Sequence, residues 1–209
     1  VNAAMQKKYI EPILVGDSDK IKEIAEKNGK IDRKKFNIIN EPNITEAVAK
    51  SVKLVHYGEA DILMKGNIGT AALLKGVLNK DWGLRKNAVL SHIALFEIEA
   101  YHHKILALTD VAMNIAPDLN TKVGIIENSV EFLRKLGVEK PKVAVLGAVE
   151  LVNEMMPATM DAALLSKMAD RGQIKHAIID GPLAFDNAIS AESAKHKGND
   201  FRPHVLHNG

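Results

Sequence analysis

The alternation of short apolar runs with helical stripes in the first 80 residues is the feature that most constrains this fold. An apolar run over Pro12–Val15 is followed by Ile21, Ile24 and Ala25 at helical spacing. Phe36–Ile39 forms a second run, and a third over Ile62–Met64 also precedes a helical pattern. Three β-α units in succession predict a mainly parallel sheet with right-handed crossovers, as in α/β proteins.

The second of these units carries the clearest helix signal in the chain. Asn43 and Glu46 have the spacing of a capping box, and Val48, Val52 and Val55 recur on one face of the helix that follows. The sequence therefore predicts a helix that begins after Asn43 and buries its valine face.

The pattern changes in the middle of the chain. A long β-like stretch over Ala88–Ile98 is followed by another over Lys104–Thr109, and only five residues connect them. That connection is too short for a helical crossover, so the two strands are predicted to be antiparallel neighbours. Helix, strand, helix, strand and helix then return at about 120–137, 142–147, 158–171, 176–180 and 184–196.

Polar and turn-forming residues over Trp82–Asn87 interrupt the periodicity and predict a domain boundary. We therefore expect a first α/β domain over residues 1–86, incomplete at its start, and a second over residues 87–198. The last residues, 199–209, have neither helical nor strand period and are predicted to form an irregular tail.

Composition excludes several classes of protein. The 209 residues include 46% hydrophobic side chains, enough for a core, and the formal net charge of +2 does not suggest a polyanion-binding or membrane-surface protein. The absence of cysteine excludes disulfides, thiolate zinc sites and cysteine nucleophiles within the chain, and a reducing, cytoplasmic location fits it. The histidines lack zinc-site spacing, so no metal is predicted.

The loop Lys65-Gly-Asn-Ile-Gly-Thr70 is the strongest candidate site, because it lies between a predicted strand and a predicted helix. Its two glycines, Gly66 and Gly69, allow backbone N–H groups to approach an anion, and the helix N-terminus and Lys65 add positive charge. A phosphoryl group is the ligand that this chemistry favours, although an ordinary tight turn with a solvated lysine explains the pattern as well. Lys75, further along the helix, could reach back to the same anion.

Three more candidate sites follow predicted strands. In open α/β sheets, ligands collect at the carboxyl ends of strands, and this shared position favours binding more than any single residue does. Turn formation is the alternative in each case. The residues concerned are Thr109, Asp110 and Asn114 after one strand, Glu150 and Asn153 after the next, and Asp180, Gly181 and Pro182 after the last.

Several segments together resemble the phosphate acetyl/butyryltransferase family, and most closely its phosphate butyryltransferase branch. The resemblance runs from about Glu11 to Gly198. It rests on Leu63-Met-Lys-Gly66, Leu90-Ser-His-Ile93, Leu108-Thr-Asp-Val-Ala-Met-Asn-Ile-Ala-Pro117, Pro141-Lys-Val-Ala-Val145, Asn153-Glu-Met-Met-Pro157, Lys167-Met-Ala-Asp-Arg-Gly-Gln173 and Asp180-Gly-Pro-Leu-Ala-Phe-Asp-Asn-Ala-Ile-Ser190.

This resemblance implies a fold and a reaction. The fold would have two α/β domains with helices on both faces of parallel or mixed sheets, like the isocitrate and isopropylmalate dehydrogenases, and the active site would lie in the interdomain cleft. The reaction would convert a short-chain acyl-CoA, with butyryl-CoA favoured, and inorganic phosphate into acyl phosphate and CoA. Coenzyme A would be a substrate, with no permanently bound cofactor and no metal. A homodimer or higher homo-oligomer is expected, with neither nucleic acid nor membrane as a partner.

The same resemblance assigns ligand binding to particular residues. They are Lys65, Gly66, Asn67, Thr70, Lys75, Thr109, Asp110, Asn114, Asp180, Gly181 and Pro182. Lys75 stands where phosphotransacetylases carry an arginine, and a lysine cannot make the bidentate phosphate contact of an arginine.

The chain also departs from the family pattern at its ends. Family members extend through a Gly-Asn-x-x-Tyr-Lys motif to a segment that resembles the source of the catalytic base and of a phosphate-binding arginine. The chain contains neither motif, so we expect a truncated chain whose catalytic residues lie elsewhere. Loss of general-base catalysis costs about 10²–10⁴-fold, which predicts weak or no activity for the 209 residues. Uncovered sheet edges also predict self-association.

Other interpretations remain open from the sequence. Phosphate acetyltransferase, an NAD-linked decarboxylating dehydrogenase and a phosphate-dependent acyl-carrier acyltransferase share the expected fold. A catalytically incomplete scaffold that binds CoA, phosphate or a partner protein is the alternative outside enzymes, because fold alone does not determine function.

Overall fold

The computed structural model describes residues 1–27, 36–87, 89–101 and 104–196. The chain divides into two compact units, Val1–Lys86 and Asn87–Gly209. The predicted tail at 199–209 and the first residue of the predicted stretch over Ala88–Ile98 lie outside the described residues.

The first unit contains two short parallel strands and four helices among its described residues. In chain order they are α1 (Asn2–Gln6), β1 (Ile13–Gly16), α2 (Ser18–Lys27), β2 (Asn37–Asn40), α3 (Ile44–His56) and α4 (Thr70–Val77). The strands pair in parallel from Ile13 opposite Asn37 to Gly16 opposite Asn40. The first two predicted β-α units are confirmed, whereas α1 was not predicted.

Local hydrogen bonds explain where α3 begins. The side-chain oxygen of Asn43 accepts from the backbone N–H groups of Thr45 and Glu46 at 2.9 and 3.2 Å. The Asn43 N–H donates instead to Glu41, at 3.2 Å, so Glu46 does not complete the predicted box. Val48 and Val52 are buried on the inner face of α3, as predicted, whereas Val55 is only half-buried.

The predicted third strand, Ile62–Met64, is wrong. This segment has no strand pairing within the described residues, and the side chains of Ile62 and Met64 are 78% and 71% exposed. A run of three apolar residues has strand propensity, but a strand forms only where a neighbouring strand supplies hydrogen bonds. The loop at Lys65 therefore does not follow a strand.

The second unit contains two pairs of strands and four α-helices among its described residues. They are β3 (Ala94–Glu97), β4 (Ile105–Leu108), α5 (Leu119–Lys135), β5 (Lys142–Leu146), α6 (Pro157–Asp170), β6 (Ile178–Leu183), α7 (Phe185–Ile189) and α8 (Ala191–His196). A short 3₁₀ turn, Glu99–Tyr101, lies between β3 and β4.

Strands β3 and β4 are antiparallel, as the short connection predicts. β3 is shorter than expected because side chains satisfy the backbone before it. The carbonyl oxygens of Val89 and Leu90 accept from Asn128 and Asn114, both at 3.0 Å. A backbone group that is already paired in this way does not need a strand partner.

The core of the second unit lies between the parallel pair β5–β6 and the helices α5 and α6. Its buried residues are Ile126, Val130, Leu165, Ile174 and Ile179. Full burial of a side chain of this size stabilises the fold by about 1.5–3 kcal/mol, so the burial of these residues contributes to the stability of the unit.

The end of the second unit differs from the prediction in two ways. β6 continues through Leu183 rather than ending near residue 180, because an irregularity in its register with β5 between Ala144 and Leu146 accommodates an extra residue. The predicted helix over 184–196 is divided into α7 and α8 at Ser190, which has extended backbone angles.

The architecture is α/β, with small parallel and antiparallel sheets and helices. In the part of the chain that the structure describes, no helix has the length and apolar character needed to cross a membrane.

Candidate functional site

In the first unit, the loop at Lys65 forms a tight turn that leads into α4. The Ile68 N–H donates to the Gly66 carbonyl at 2.9 Å, and the Lys65 ammonium donates to the Ile68 carbonyl at the same distance. Gly69 is the N-cap of α4 and provides no side-chain acceptor for the first turn. The loop thus combines a positive charge with the amino end of a helix, which is an arrangement suited to an anion.

The other candidates of this unit are exposed around the same loop and helix. Asn67, Thr70 and Lys75 all have solvent-exposed side chains. A Cβ added at Gly66 or Gly69 would meet nothing within 4 Å, so the surface of the loop is open. Backbone and side chains are therefore accessible to a ligand on this side.

In the second unit, the Asp110 carboxylate organises the turn after β4. The Thr109–Asp110 peptide bond is cis. Asp110 Oδ1 accepts from the backbone N–H of Met113 at 3.1 Å and that of His92 at 3.3 Å, and Oδ2 accepts from both the backbone and the side-chain nitrogen of Asn114. The structure thus brings Asp110 and Asn114 into direct contact.

Hydrogen bonding determines the charge state of Asp110. Burial alone raises the pKa of this carboxyl, but hydrogen bonds from the Asn114 side chain and from three backbone N–H groups outweigh burial. The pKa is therefore lower than its ordinary value of 3.8, and the carboxylate is ionised at neutral pH.

Thr109 attaches this turn to the segment before β3. Its hydroxyl donates to the His92 carbonyl at 2.5 Å, while the amide nitrogen of Asn114 donates to the Leu90 carbonyl at 3.0 Å. These contacts hold two remote stretches of chain together, so part of the role of Thr109, Asp110 and Asn114 is structural.

Asp180, Gly181 and Pro182 lie inside β6, which corrects the expectation that they follow a strand. Asp180 is 7% exposed, and its Oδ1 accepts from the Gly181 N–H at 2.8 Å. The Gly181–Pro182 bond is cis. A Cβ at Gly181 would lie 2.6 Å from the Val145 carbonyl oxygen, so only glycine allows this close approach of β6 to β5.

Asn187, which no sequence pattern singled out, is a buried polar residue beside the Glu150 loop. Asn187 is 2% exposed and donates its amide nitrogen to Glu150 Oε1 at 2.6 Å. A polar residue on the buried face of a helix could have identified Asn187 in the sequence. Which face of α7 is buried becomes known only from the packing of the folded chain.

An apolar cavity of about 240 Å³ lies in the first unit, and it is not the candidate site. Its lining includes Leu14, Ile21, Ile24, Phe36 and Ile38, and none of the predicted ligand-binding residues. It lacks the cluster of polar groups that would orient an anionic ligand.

The structure divides the candidates between the two units. Lys65 to Lys75 belong to the first unit, whereas Asp110 with Asn114 and Asp180 to Pro182 belong to the second. Four groups of candidates were expected to follow strands. Two of them do, the group that begins at Thr109 after β4 and the group that begins at Glu150 after β5. Among the described residues, no three His, Asp or Glu side chains are grouped as metal ligands.

Known proteins resemble this chain over nearly its whole length. Phosphate butyryltransferase from Clostridium acetobutylicum is 50% identical over 198 residues, which cover 95% of this chain and 65% of the relative. Phosphate acetyltransferase from Rickettsia felis is 42% identical over 196 residues, which cover 93% of this chain and 56% of the relative. The chain thus spans less than two thirds of the length of these relatives.

Solved structures agree with these similarities. A branched-chain phosphotransacylase from Enterococcus faecalis has a TM-score of 0.76 and 30% identity, covering 92% of this chain and 75% of that one. A phosphotransacetylase from Streptococcus pyogenes, at 23% identity and a TM-score of 0.68, shares the fold. The family described as phosphate acetyl/butaryl transferase matches residues 40–202. The chain therefore belongs to the phosphate acetyl/butaryl transferase family.

Proposed function

We propose that this chain is part of a phosphate acyltransferase that acts on a short-chain acyl-CoA. Phosphate attacks the thioester carbonyl, the carbon–sulfur bond breaks, and the proton released from phosphate ends on the sulfur of CoA. The observation that carries the proposal is the 50% identity to a phosphate butyryltransferase over 95% of this chain. That similarity favours butyryl-CoA as the substrate.

The first unit is assigned the anionic part of the substrates. Lys65 supplies a full positive charge, and the amino end of α4 supplies N–H donors beside it. Asn67 and Thr70 add polar side chains, and Lys75 adds a second ammonium group. These groups suit inorganic phosphate or the phosphates of CoA.

The second unit is assigned positioning and contact with the acyl-CoA. Asp110 acts as a positioning residue, because its carboxylate is already engaged by Asn114 and backbone N–H groups. Thr109 and Asn114 would contact the ligand from the turn after β4, which the hydrogen bonds to Asp110 hold in place. In β6, Gly181 and Pro182 would present backbone to the ligand, with the buried Asp180 supporting them.

The family also suggests a fold plan, partners, an assembly and a location for this chain. The fold would follow the two-domain plan of the isocitrate and isopropylmalate dehydrogenases. Acyl-CoA, CoA and phosphate would be the partners, and a homo-oligomer the assembly. A cytoplasmic location is supported by a chain without cysteine.

The test is phosphate-dependent release of thiol from butyryl-CoA, with the Clostridium acetobutylicum enzyme as a positive control. We expect thiol release that requires phosphate. Release that does not depend on phosphate would contradict the proposal. Saturable CoA binding without any transfer would support the alternative of a binding scaffold.

A matched pair of variants sharpens this assay. Lys65→Gln removes the charge of the loop. It should raise by about tenfold the concentration of phosphate or of butyryl-CoA that gives half-maximal thiol release, as expected for loss of a charge-assisted hydrogen bond. Lys80→Gln removes an exposed charge beyond α4 and should leave both of these concentrations unchanged. Equal effects of the two changes would show that Lys65 does not bind the ligand.

A further inference from the structure

His92, in the segment that leads into β3, has an unusual hydrogen-bonding environment. Its ring nitrogen Nδ1 is buried and has no hydrogen-bond partner among the described residues. The residue as a whole is half-buried, so Nε2 is the accessible nitrogen of the ring. An unpaired buried polar atom costs free energy, and native proteins keep few of them without a functional reason.

The backbone of His92 is held by the turn after β4. Its N–H donates to Asp110 Oδ1 at 3.3 Å, and its carbonyl oxygen accepts from the Thr109 hydroxyl at 2.5 Å. Ala94 pairs with Leu108 in the antiparallel register, so the start of β3 lies beside the end of β4. His92 therefore belongs to the same local site as Thr109 and Asp110, although it precedes them by 17 and 18 residues.

The buried nitrogen indicates which atom of the His92 ring carries the proton. A neutral imidazole has one proton, on either Nδ1 or Nε2. A proton on Nδ1 would be a buried N–H donor without an acceptor, and native structures leave buried N–H groups unpaired less often than buried acceptors. The proton is therefore assigned to Nε2, where His92 offers a neutral donor on the accessible side of its ring.

The turn after β4 also presents apolar side chains. Val111 is 63% exposed and Ile115 is fully exposed. Asp110 in the same turn is ionised, and a carboxylate repels a phosphate group far more strongly than an uncharged carbonyl. A neutral donor beside exposed apolar groups therefore suits an uncharged carbonyl that carries a short alkyl chain.

We propose that this turn binds the acyl end of the acyl-CoA. His92 Nε2–H donates a hydrogen bond to the thioester carbonyl oxygen, and Val111 and Ile115 contact the alkyl chain. This inference rests on the proposed function, which supplies acyl-CoA as the ligand. When phosphate attacks the carbonyl carbon, negative charge develops on the carbonyl oxygen, and a donor already in place stabilises that charge. The proton stays on Nε2 throughout, so His92 is a catalytic residue that contributes a hydrogen bond and no proton transfer.

Two substitutions separate the donor of His92 from the shape of its ring. His92→Phe keeps a planar ring and removes both nitrogens, and the loss of Nδ1 breaks no hydrogen bond. His92→Gln places an amide N–H about as far along the side chain as Nε2. We expect the Kd for butyryl-CoA to rise about fivefold in His92→Phe, as for loss of one neutral hydrogen bond, and to stay near the original value in His92→Gln.

The measurement is calorimetric titration of the full chain with butyryl-CoA and with CoA, which lacks the thioester carbonyl. His92→Phe should weaken butyryl-CoA alone, and its unchanged Kd for CoA shows that the variant is folded. An equal loss for both ligands, or no loss for either, would overturn the contact with the carbonyl. A loss in His92→Gln as large as in His92→Phe would overturn the assignment to an Nε2 donor.

Ile115→Ala tests the contact with the alkyl chain. It should reduce the preference for butyryl-CoA over acetyl-CoA by about fourfold, the value of one buried methylene group. Ile105→Ala, a matched control, shortens another exposed isoleucine at the opposite end of β4 and should leave this preference unchanged. The same effect from both variants would overturn the placement of the acyl chain at this turn.

The outcomes for this site and for the proposed function can be told apart, because the titrations need no turnover. If the unaltered chain binds both ligands and releases no thiol with phosphate, the proposed function is contradicted and the acyl site is still decided by the variants. Binding of neither ligand would overturn both.

Discussion

The carboxylate of Asp110 shows how one residue organises a turn. It accepts hydrogen bonds from the side chain and backbone of Asn114 and from the backbone of Met113. Asp110→Asn replaces one of its acceptor oxygens with an NH₂ group, which donates and cannot accept from these N–H groups. We expect a loss of about 1–2 kcal/mol in the free energy of unfolding, measured by urea denaturation at neutral pH. Glu139→Gln, on an exposed turn, is the control and should have no effect.

The same residue predicts a pH dependence. The folded pKa of Asp110 lies below its ordinary value of 3.8, so the folded state holds this carboxylate ionised more strongly than the unfolded state does. Its stabilising contribution is present above pH 3.8 and is lost as the pH falls through the folded pKa. In Asp110→Asn, the free energy of unfolding should therefore fall less steeply as the pH is lowered. If it falls as steeply as in the original chain, other carboxyl groups cause the acid destabilisation.

At the scale of elements, the contact between α3 and α4 depends on Gly76. A Cβ at this position would lie 2.4 Å from Val48 Cγ1 and 3.4 Å from Val52 Cγ2, two buried and stiff side chains. Gly76→Ala gains about 1 kcal/mol of helix propensity but overpacks this contact, at a cost of about 1–3 kcal/mol. We expect net destabilisation in thermal unfolding. Gly66→Ala, which meets nothing within 4 Å, should be tolerated, and equal stability of the two variants would contradict the packing argument.

At the scale of the whole molecule, the division at Lys86 predicts where a protease cuts first. Arg85 and Lys86 are exposed at the boundary between the two compact units, and boundaries between domains are common sites of limited proteolysis. Brief trypsin treatment should give two persistent fragments that separate near residue 86, identified by mass spectrometry. Replacing both residues with glutamine should suppress this cut. A first cut within α5 or α6 would contradict the predicted boundary.

The local features of the fold could be predicted because their causes are close together in the sequence. Asn43 caps α3 through the N–H groups of residues two and three positions later. β3 and β4 are antiparallel because their connection is short. The loop at Lys65 was selected from neighbouring residues too, and the helix expected after it is confirmed, whereas the strand expected before it is wrong.

Only the tertiary structure decided which apolar runs pair and which polar groups meet. Ile62–Met64 has the composition of a strand but no partner among the described residues, and strand pairing depends on residues remote in the sequence. The contact between Glu150 and Asn187 joins positions 37 residues apart. The sequence by itself therefore determined the start of α3, the α/β class and the family motifs. Packing decided the remote contacts, because their hydrogen bonds form only after the chain has folded.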